Sequence, residues 1–266
     1  MRTRTTIVAV AVMLLAAPVL MAAPSAFSYS DFSSTAGLTL NGAAAQAANV
    51  LRLVPSSDTQ SGTAYQTTAV PLNGATAFST NFEFLVTSNP NSSLGAADGF
   101  TFLLQNDIAG ANALGAGGQG LGYVGLSPSV AVVFRGRALS FIGVITGGVD
   151  PAALLVPFQP PGYTAFAEGA FYDQNEFAWI DYDPSSTVLS VYLSSTSLKP
   201  GSPVMSTTVD VFGNLGSQAY VGFSAGNGGG FGSQDILNWS FTSVPEPATL
   251  SLLALGGLAM LRRKRA

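Results

Sequence analysis

The middle of this chain is a succession of short apolar–polar alternations cut apart by turn residues, and that pattern leaves few folds open. In "FSTNFEFLV" (78–86), Phe78, Phe82 and Phe84 sit among polar neighbours. "FTFLLQ" (100–105), "SVAVVF" (129–134), "FAWIDYD" (177–183), "TVLSVYLSS" (187–195), "STTVDVF" (206–212), "AYVGFSA" (219–225) and "ILNWSFTS" (236–243) read as further strands. Successive side chains of a strand point to opposite faces, so such runs bury one face against a core. Clusters of Gly, Pro, Asn, Asp and Ser between them supply the turns. Outside the two ends of the chain, no window keeps a 3.6-residue apolar period long enough for a capped helix. The expected architecture is all-β, an antiparallel jelly-roll sandwich of two packed sheets in a single domain.

Composition narrows the chemistry. With 47% hydrophobic and only 9% charged residues, the chain has ample material for a core and is not expected to be disordered. It contains no Cys and no His. Disulfides, thiolate metal sites, imidazole bases and imidazole metal ligands are therefore excluded.

Both ends read as addresses rather than fold. Arg2 and Arg4 precede an apolar stretch from Ile7 to Met21, followed by the small residues Ala22, Ala23, Ser25 and Ala26. That is the layout of a secretory signal peptide over residues 1–26, cleaved near 23–26. At the other end, Ala248 to Leu261 is an apolar run followed by Arg262, Arg263, Lys264 and Arg265. As a helix this run would be roughly 21 Å long, short of a ~30 Å hydrocarbon core, with its basic end on the cytoplasmic side. Residues 244–266 resemble a PEP-CTERM sorting signal: Pro245-Glu246-Pro247, a short hydrophobic segment, then the Arg-rich end. The resemblance implies a Gram-negative exporter, transient inner-membrane anchoring, and an exosortase that removes the tail near the motif. An ordinary C-terminal membrane anchor is the alternative.

Between residues 27 and 243 only Arg52, Arg135, Arg137 and Lys199 oppose 13 acids, a net charge of about −9. Such a surface repels phosphate backbones and argues against nucleic-acid partners. Three stretches are rich in glycine: 109–125, 143–148 and 226–232. Glycine lets backbone approach a ligand closely, which suits loops that line a site. The 143–148 stretch is expected to be a plain loop at the sandwich edge.

Several motifs then line up in one order. "FSYSDFSSTAGLTLNGAA" (27–44) opens the domain and "VLRLVPSSDTQSGTAYQTTAVPL" (50–72) follows. "FSTNFEFLV", "GAADGFTFLLQND" (95–107), the glycine-rich loop with "GLGYVGL" (120–126) and "SVAVVF" come next, and "FAWIDYDPSSTVLSVYLS" (177–194) and "YVGFSAGNGGGFGSQDILNWSFTS" (220–243) close it. This order resembles the legume-type (L-type) lectin family in its bacterial branch, over nearly all of residues 27–243. The resemblance implies a jelly roll with a flat back sheet and a curved front sheet, and non-catalytic carbohydrate binding. It also implies copies that pair their flat sheets edge to edge. In the family the Asp of an Ala-Asp-Gly motif accepts hydrogen bonds from sugar hydroxyls, which here is Asp98. An ionised carboxylate offers two oxygens, so two adjacent hydroxyls can donate to it. The family's glycine-loop amide corresponds to Gly118, within one or two residues. In the late loop, Asn227 would bond hydroxyls and Phe231 would stack on a sugar face.

The chain departs from the family where metals are held. There, a Glu and an Asp two residues apart on one strand face bind calcium and a transition metal. Here those positions are Val133 and Arg135, and the metal-binding His falls near Phe141. Valine has no donor atom, and a guanidinium repels cations, so calcium and manganese sites are expected to be lost and no cofactor is expected. In the family the metals also hold a cis Ala-Asp peptide bond. Ala97–Asp98 is therefore expected to be trans, or held by something else, with Arg135 supplying positive charge to Asp98 in place of calcium. Two other functions compete with sugar binding. One is a structural protein of the extracellular polysaccharide matrix on a scaffold that no longer binds. The other is a glycoside hydrolase using the acids Glu176, Asp181 and Asp183, since such enzymes need paired carboxylates.

Overall fold

The computed structural model describes residues 25–137, 140–151 and 162–245. The expected signal peptide and sorting signal, including Glu246, Pro247, Arg262 and Arg263, lie outside these residues apart from 25, 26, 244 and 245. In chain order the strands are β1 (Ser25–Tyr29), β2 (Leu38–Gly42), β3 (Ala45–Ala47), β4 (Val50–Val54), β5 (Gln60–Gln66), β6 (Val70–Pro71), β7 (Thr76–Ser88), β8 (Gly99–Gln105), β9 (Ser129–Arg135), β10 (Phe141–Thr146), β11 (Tyr163–Ala165), β12 (Asn175–Asp183), β13 (Val188–Ser194), β14 (Met205–Thr208), β15 (Gln218–Asn227) and β16 (Gly232–Pro245). They form two antiparallel sheets. The first runs β14-β13-β12-β7-β16-β4-β3, with β1 also on β16. The second runs β11-β10-β9-β8-β15-β5-β2, with β6 also on β15. The all-β sandwich expected from the alternation is what forms. Its strands reach two residues further at each end than residues 27–243, because Ser25 pairs with Ser243 and Pro245 with Thr76.

The first sheet keeps the alternation that made it legible. Along β12, Ala178, Ile180 and Tyr182 are buried while Phe177, Trp179 and Asp181 face outward. Along β7, Phe78, Phe82 and Phe84 point inward. The second sheet is different: β8 and β9 are buried at every position. One face carries Phe100, Phe102, Val132 and Phe134 into the inter-sheet core. The other carries Leu103, Ala131 and Val133 into a second apolar cluster with Leu121, Tyr123 and Phe141. The glycine-rich segment that contributes Leu121 and Tyr123 thus covers the outer face, which is why these two strands read as continuous apolar runs.

Between the sheets, aromatic rings meet across the gap. Phe82 of β7 lies 5.0 Å from Phe223 of β15 and 5.8 Å from Phe134 of β9, both edge-on. Phe223 in turn meets Trp239 of β16 at 4.8 Å, again edge to face. These tilted geometries place the positive ring edge on the negative face of its neighbour. The buried Trp239 Nε1 donates to Thr80 Oγ1 at 2.9 Å, so the largest ring of the core leaves no polar atom unpaired.

Two expectations are corrected: 143–148 is no plain loop, since residues 143–146 belong to β10 and pair with β9, and one expected strand is shorter. The run 206–212 is strand only as far as Thr208, and Val211–Leu215 is a short helix, α1. Asp210 caps it by accepting from Gly213 N at 2.7 Å, and Val211 and Leu215 are buried. The β-branched run concealed an N-cap, which takes the chain out of the extended conformation.

Phe82 touches rings of both sheets and is 1% exposed. Phe82→Ala is expected to lower unfolding free energy by about 3–5 kcal/mol, the usual cost of emptying an aromatic-sized core site, measured as a shift of the urea midpoint.

Candidate functional site

The site forms where β8 begins. Gly99 pairs with Gly226 on one side and with Arg135 on the other. It must be glycine: its φ is +139°, and a Cβ there would stand 2.3 Å from the Phe134 carbonyl oxygen. Asp98, one residue earlier, is held by its backbone from both sides. Its N–H donates to the Gly226 carbonyl at 2.9 Å, and its carbonyl accepts from Gly136 N–H at 3.2 Å. The Ala97–Asp98 peptide bond is cis. The trans alternative does not hold. The Ala97 carbonyl accepts from Gln234 Nε2 at 2.8 Å and the Ala96 carbonyl from the Tyr172 hydroxyl at 2.8 Å.

The Asp98 carboxyl is half-buried, and its Oδ2 has no hydrogen-bond partner. Two glycines border that oxygen. A Cβ on Gly118 would lie 3.8 Å from it, and one on Gly228 3.1 Å. Gly118 opens a 3₁₀ turn, Gly118–Gly120, with φ +56°. The first N–H groups of such a turn have no partner within it. The structure therefore brings together two of the four expected residues, Asp98 and Gly118.

Asn227 has a different role from the one expected. It is fully buried, and its Nδ2 lies 2.8–3.0 Å from the carbonyls of Pro55, Ser57 and Gly232. Its Oδ1 accepts from Gln234 Nε2 at 2.9 Å. The amide fastens the late loop to the turn after β4, so its hydrogen-bonding capacity is committed within the protein. Phe231 is half-buried, and its N–H donates to Gly95 O and Ser92 Oγ, both at 3.1 Å. That clasps the late loop to the segment ahead of Asp98.

Charge around the carboxyl comes from two arginines. Burial pushes the Asp98 pKa above the ordinary aspartate value. Arg135, then Arg137, then the Gly228 amide oppose that shift by favouring the ionised form. Arg135 is buried, and its Nε donates to the Arg137 carbonyl at 3.2 Å. Val133 and Phe141, the other two positions at which the family binds metal, lie in the second apolar cluster. A valine, a phenylalanine and a guanidinium offer no lone pair to a divalent ion. These residues do not fit the metal set that the fold carries elsewhere. Among the described residues, no group of three or more His, Cys, Asp or Glu converges.

Of the acids weighed for hydrolysis, Asp181 and Asp183 share the outer face of β12 and Glu176 does not. Glu176 is buried on the inner face of β12, whereas Asp181 lies on the outer face, bonded to Lys199 and Ser79. Asp183 caps the following turn through Ser185 and Ser186. Sequence reasoning missed Tyr172, Gln234 and Arg137. Only Arg137 left a signal, as one of two arginines spaced two apart in a domain with four basic residues.

Known proteins share the fold that carries this site. The legume lectin domain family matches residues 24–132 and 169–254, well over half of the chain. An L-type lectin-domain containing receptor kinase, S.7, from Oryza sativa subsp. japonica is 30% identical over 185 residues, 64% of this chain. The match spans 25% of the kinase's own length. Among solved structures, the Bauhinia forficata lectin in complex with GalNAc superposes with TM-score 0.67 at 21% identity, over 85% of this chain and 100% of that one. The metal-free form of lectin I-B4 from Griffonia simplicifolia superposes with TM-score 0.67 at 24% identity, over 83% and 99%. Sequence match and shared sandwich together show that this chain belongs to the legume lectin domain family.

Proposed function

We propose that this domain is a carbohydrate-binding module, not an enzyme, whose sugar contacts centre on Asp98 and which works without a divalent cation. The observation that carries the reading is the Asp98 carboxyl at the start of β8. Its Oδ2 has no hydrogen-bond partner among the described residues, and glycine backbone at 118 and 228 borders it. A carboxylate so placed can accept from sugar hydroxyls, while the Gly118 turn presents backbone donors. The Bauhinia lectin, solved with GalNAc, supports the ligand class through its fold. Metal independence is supported by the chemistry of Val133, Arg135 and Phe141 and by the protein bonds to the carbonyls of Ala96 and Ala97.

The two ends support an exported protein: secreted through the signal peptide, held transiently in the inner membrane, and released by an exosortase to the cell surface or extracellular matrix. There the producer's own exopolysaccharide is the natural partner. Two observations favour a matrix protein that binds no sugar. The Asn227 amide is committed within the fold, and Asp98 Oδ2 has almost no accessible surface. A glycan array separates the two readings.

On such an array wild type is expected to bind, and Asp98→Asn to lower the affinity by about tenfold or more, the worth of a charged acceptor. EDTA is expected to leave wild-type binding unchanged; chelator-sensitive binding would overturn the metal-free part of the proposal. Only the ionised carboxylate accepts two hydroxyls, and burial raises its pKa. Affinity is therefore expected to fall on acidification, starting at a higher pH than for an exposed aspartate of pKa about 4. Titration by isothermal calorimetry checks this, and a flat profile down to that pH would argue against Asp98 as acceptor. Intact-mass measurement of protein released by the producing cell is expected to show loss of the Arg-rich tail, and retention of that tail when the exosortase is deleted.

A further inference from the structure

We infer that the glycan taken at this site is acidic, with a carboxylate on the sugar ring facing Arg137 while its hydroxyls face Asp98. The inference rests on the carbohydrate reading above and concerns its ligand class. It begins from how few cations the domain has. Of its four basic residues, two are committed elsewhere. Arg52 grips Asp235 with two prongs, Nε to Oδ1 and Nη2 to Oδ2, both at 2.8 Å. Lys199 is bonded to Asp181 and lies over the Tyr192 ring.

The remaining two, Arg135 and Arg137, stand together where β9 ends, beside Asp98. Arg135 is 5% exposed and its Nη1 has no partner. Among the described residues no carboxylate lies within ion-pair reach of it. Arg137 is partly exposed, and among the described residues the carboxylate within ion-pair reach of it is the exposed Glu168 at 3.9 Å. A pair that long and that wet contributes little. A buried guanidinium with no bonded carboxylate is disfavoured by desolvation, and Asp98 compensates Arg135 only through space. An anion arriving nearby offsets that penalty.

Both ends of the proposed ligand would rest on one loop. The position of a Cβ on Gly228 lies 3.1 Å from Asp98 Oδ2, and that of a Cβ on Gly230 lies 3.0 Å from Arg137 Nη1. Three consecutive glycines, 228–230, therefore link the surroundings of the carboxylate to those of the guanidinium without adding side chains of their own. A ring whose hydroxyls donate to Asp98 can turn its own carboxylate toward the Arg137 fork, the geometry that guanidinium groups match best. Both cations are also felt at the Asp98 carboxyl, Arg135 the more strongly. Elsewhere the net charge of about −9 disfavours polyanions, so this corner is the place where one can approach.

The test titrates the full-length chain with oligosaccharides of D-galacturonate and D-glucuronate, and with the matching D-galactose and D-glucose oligosaccharides, at one ionic strength. The uronates are expected to bind about tenfold or more tightly than their neutral counterparts, as one charged hydrogen-bonded contact would give. Arg137→Gln is expected to remove most of that preference, and Arg137→Lys to keep part of it. Because Arg137 is partly exposed, a thermal melt of each variant is expected to match wild type. Equal affinity for both classes, or a preference for the neutral sugars, overturns the acidic-ligand inference and leaves the carbohydrate reading standing. A uronate preference that survives Arg137→Gln overturns the role given to Arg137. Binding of none of the four overturns both readings.

Discussion

Asp98 keeps its place because the strand it precedes is buried on both faces. β8 and β9 carry phenylalanines into the inter-sheet core on one side and Leu103, Ala131 and Val133 under Tyr123 and Leu121 on the other. A strand covered twice cannot slip in register without exposing apolar surface on both sides. Its first residue, Gly99, is locked between Gly226 and Arg135, so the preceding acid emerges at one fixed point. Gln234 then extends that order outward. Its single amide nitrogen reaches both the Ala97 carbonyl and Asn227 Oδ1, tying the segment before the acid to the loop beyond β15. Core packing and pocket geometry are thus one continuous construction.

The site's electrostatics follow from scarcity. In a domain with 13 acids and four bases, each cation matters for where it stands. Arg52 and Lys199 neutralise acids of the first sheet, on β16 and β12. Arg135 and Arg137 gather beside an acid they do not touch. Burial alone would favour the protonated Asp98, and the two guanidinium groups restore some of the advantage of the charged form. The positive charge beside this carboxylate comes from covalently fixed side chains.

Much of the sandwich was legible because its physics is local. Alternation gave β7 and β12; β8 and β9 were read as strands of the same one-sided kind, and the structure buries them on both faces. The error at 209–212 came from reading Val209, Val211 and Phe212 as β-formers when Asp210 between them was a cap. Asp98 and Gly118 were legible only through the ordered motifs. Nothing in the local sequence shows that residues 98, 118 and 228 meet. Asn227 misled for a physical reason: an amide among glycines looks like a free donor. Its three carbonyl partners at Pro55, Ser57 and Gly232 are mostly distant in sequence. Tyr172 and Gln234 were invisible for the same reason, since their bonds cross 76 and 137 residues.

The pairing of the first strand with the last also has a directional result. Ser25 lies opposite Ser243, so the chain enters and leaves the folded body side by side. The other end of β16, at Gly232, adjoins Ala96 and the glycine loop around Asp98. Eleven residue steps of strand separate Gly232 from Ser243, about 36 Å at ~3.3 Å per residue. Whatever is joined to Ser25 or Pro245 is therefore joined at the end of β16 remote from Asp98.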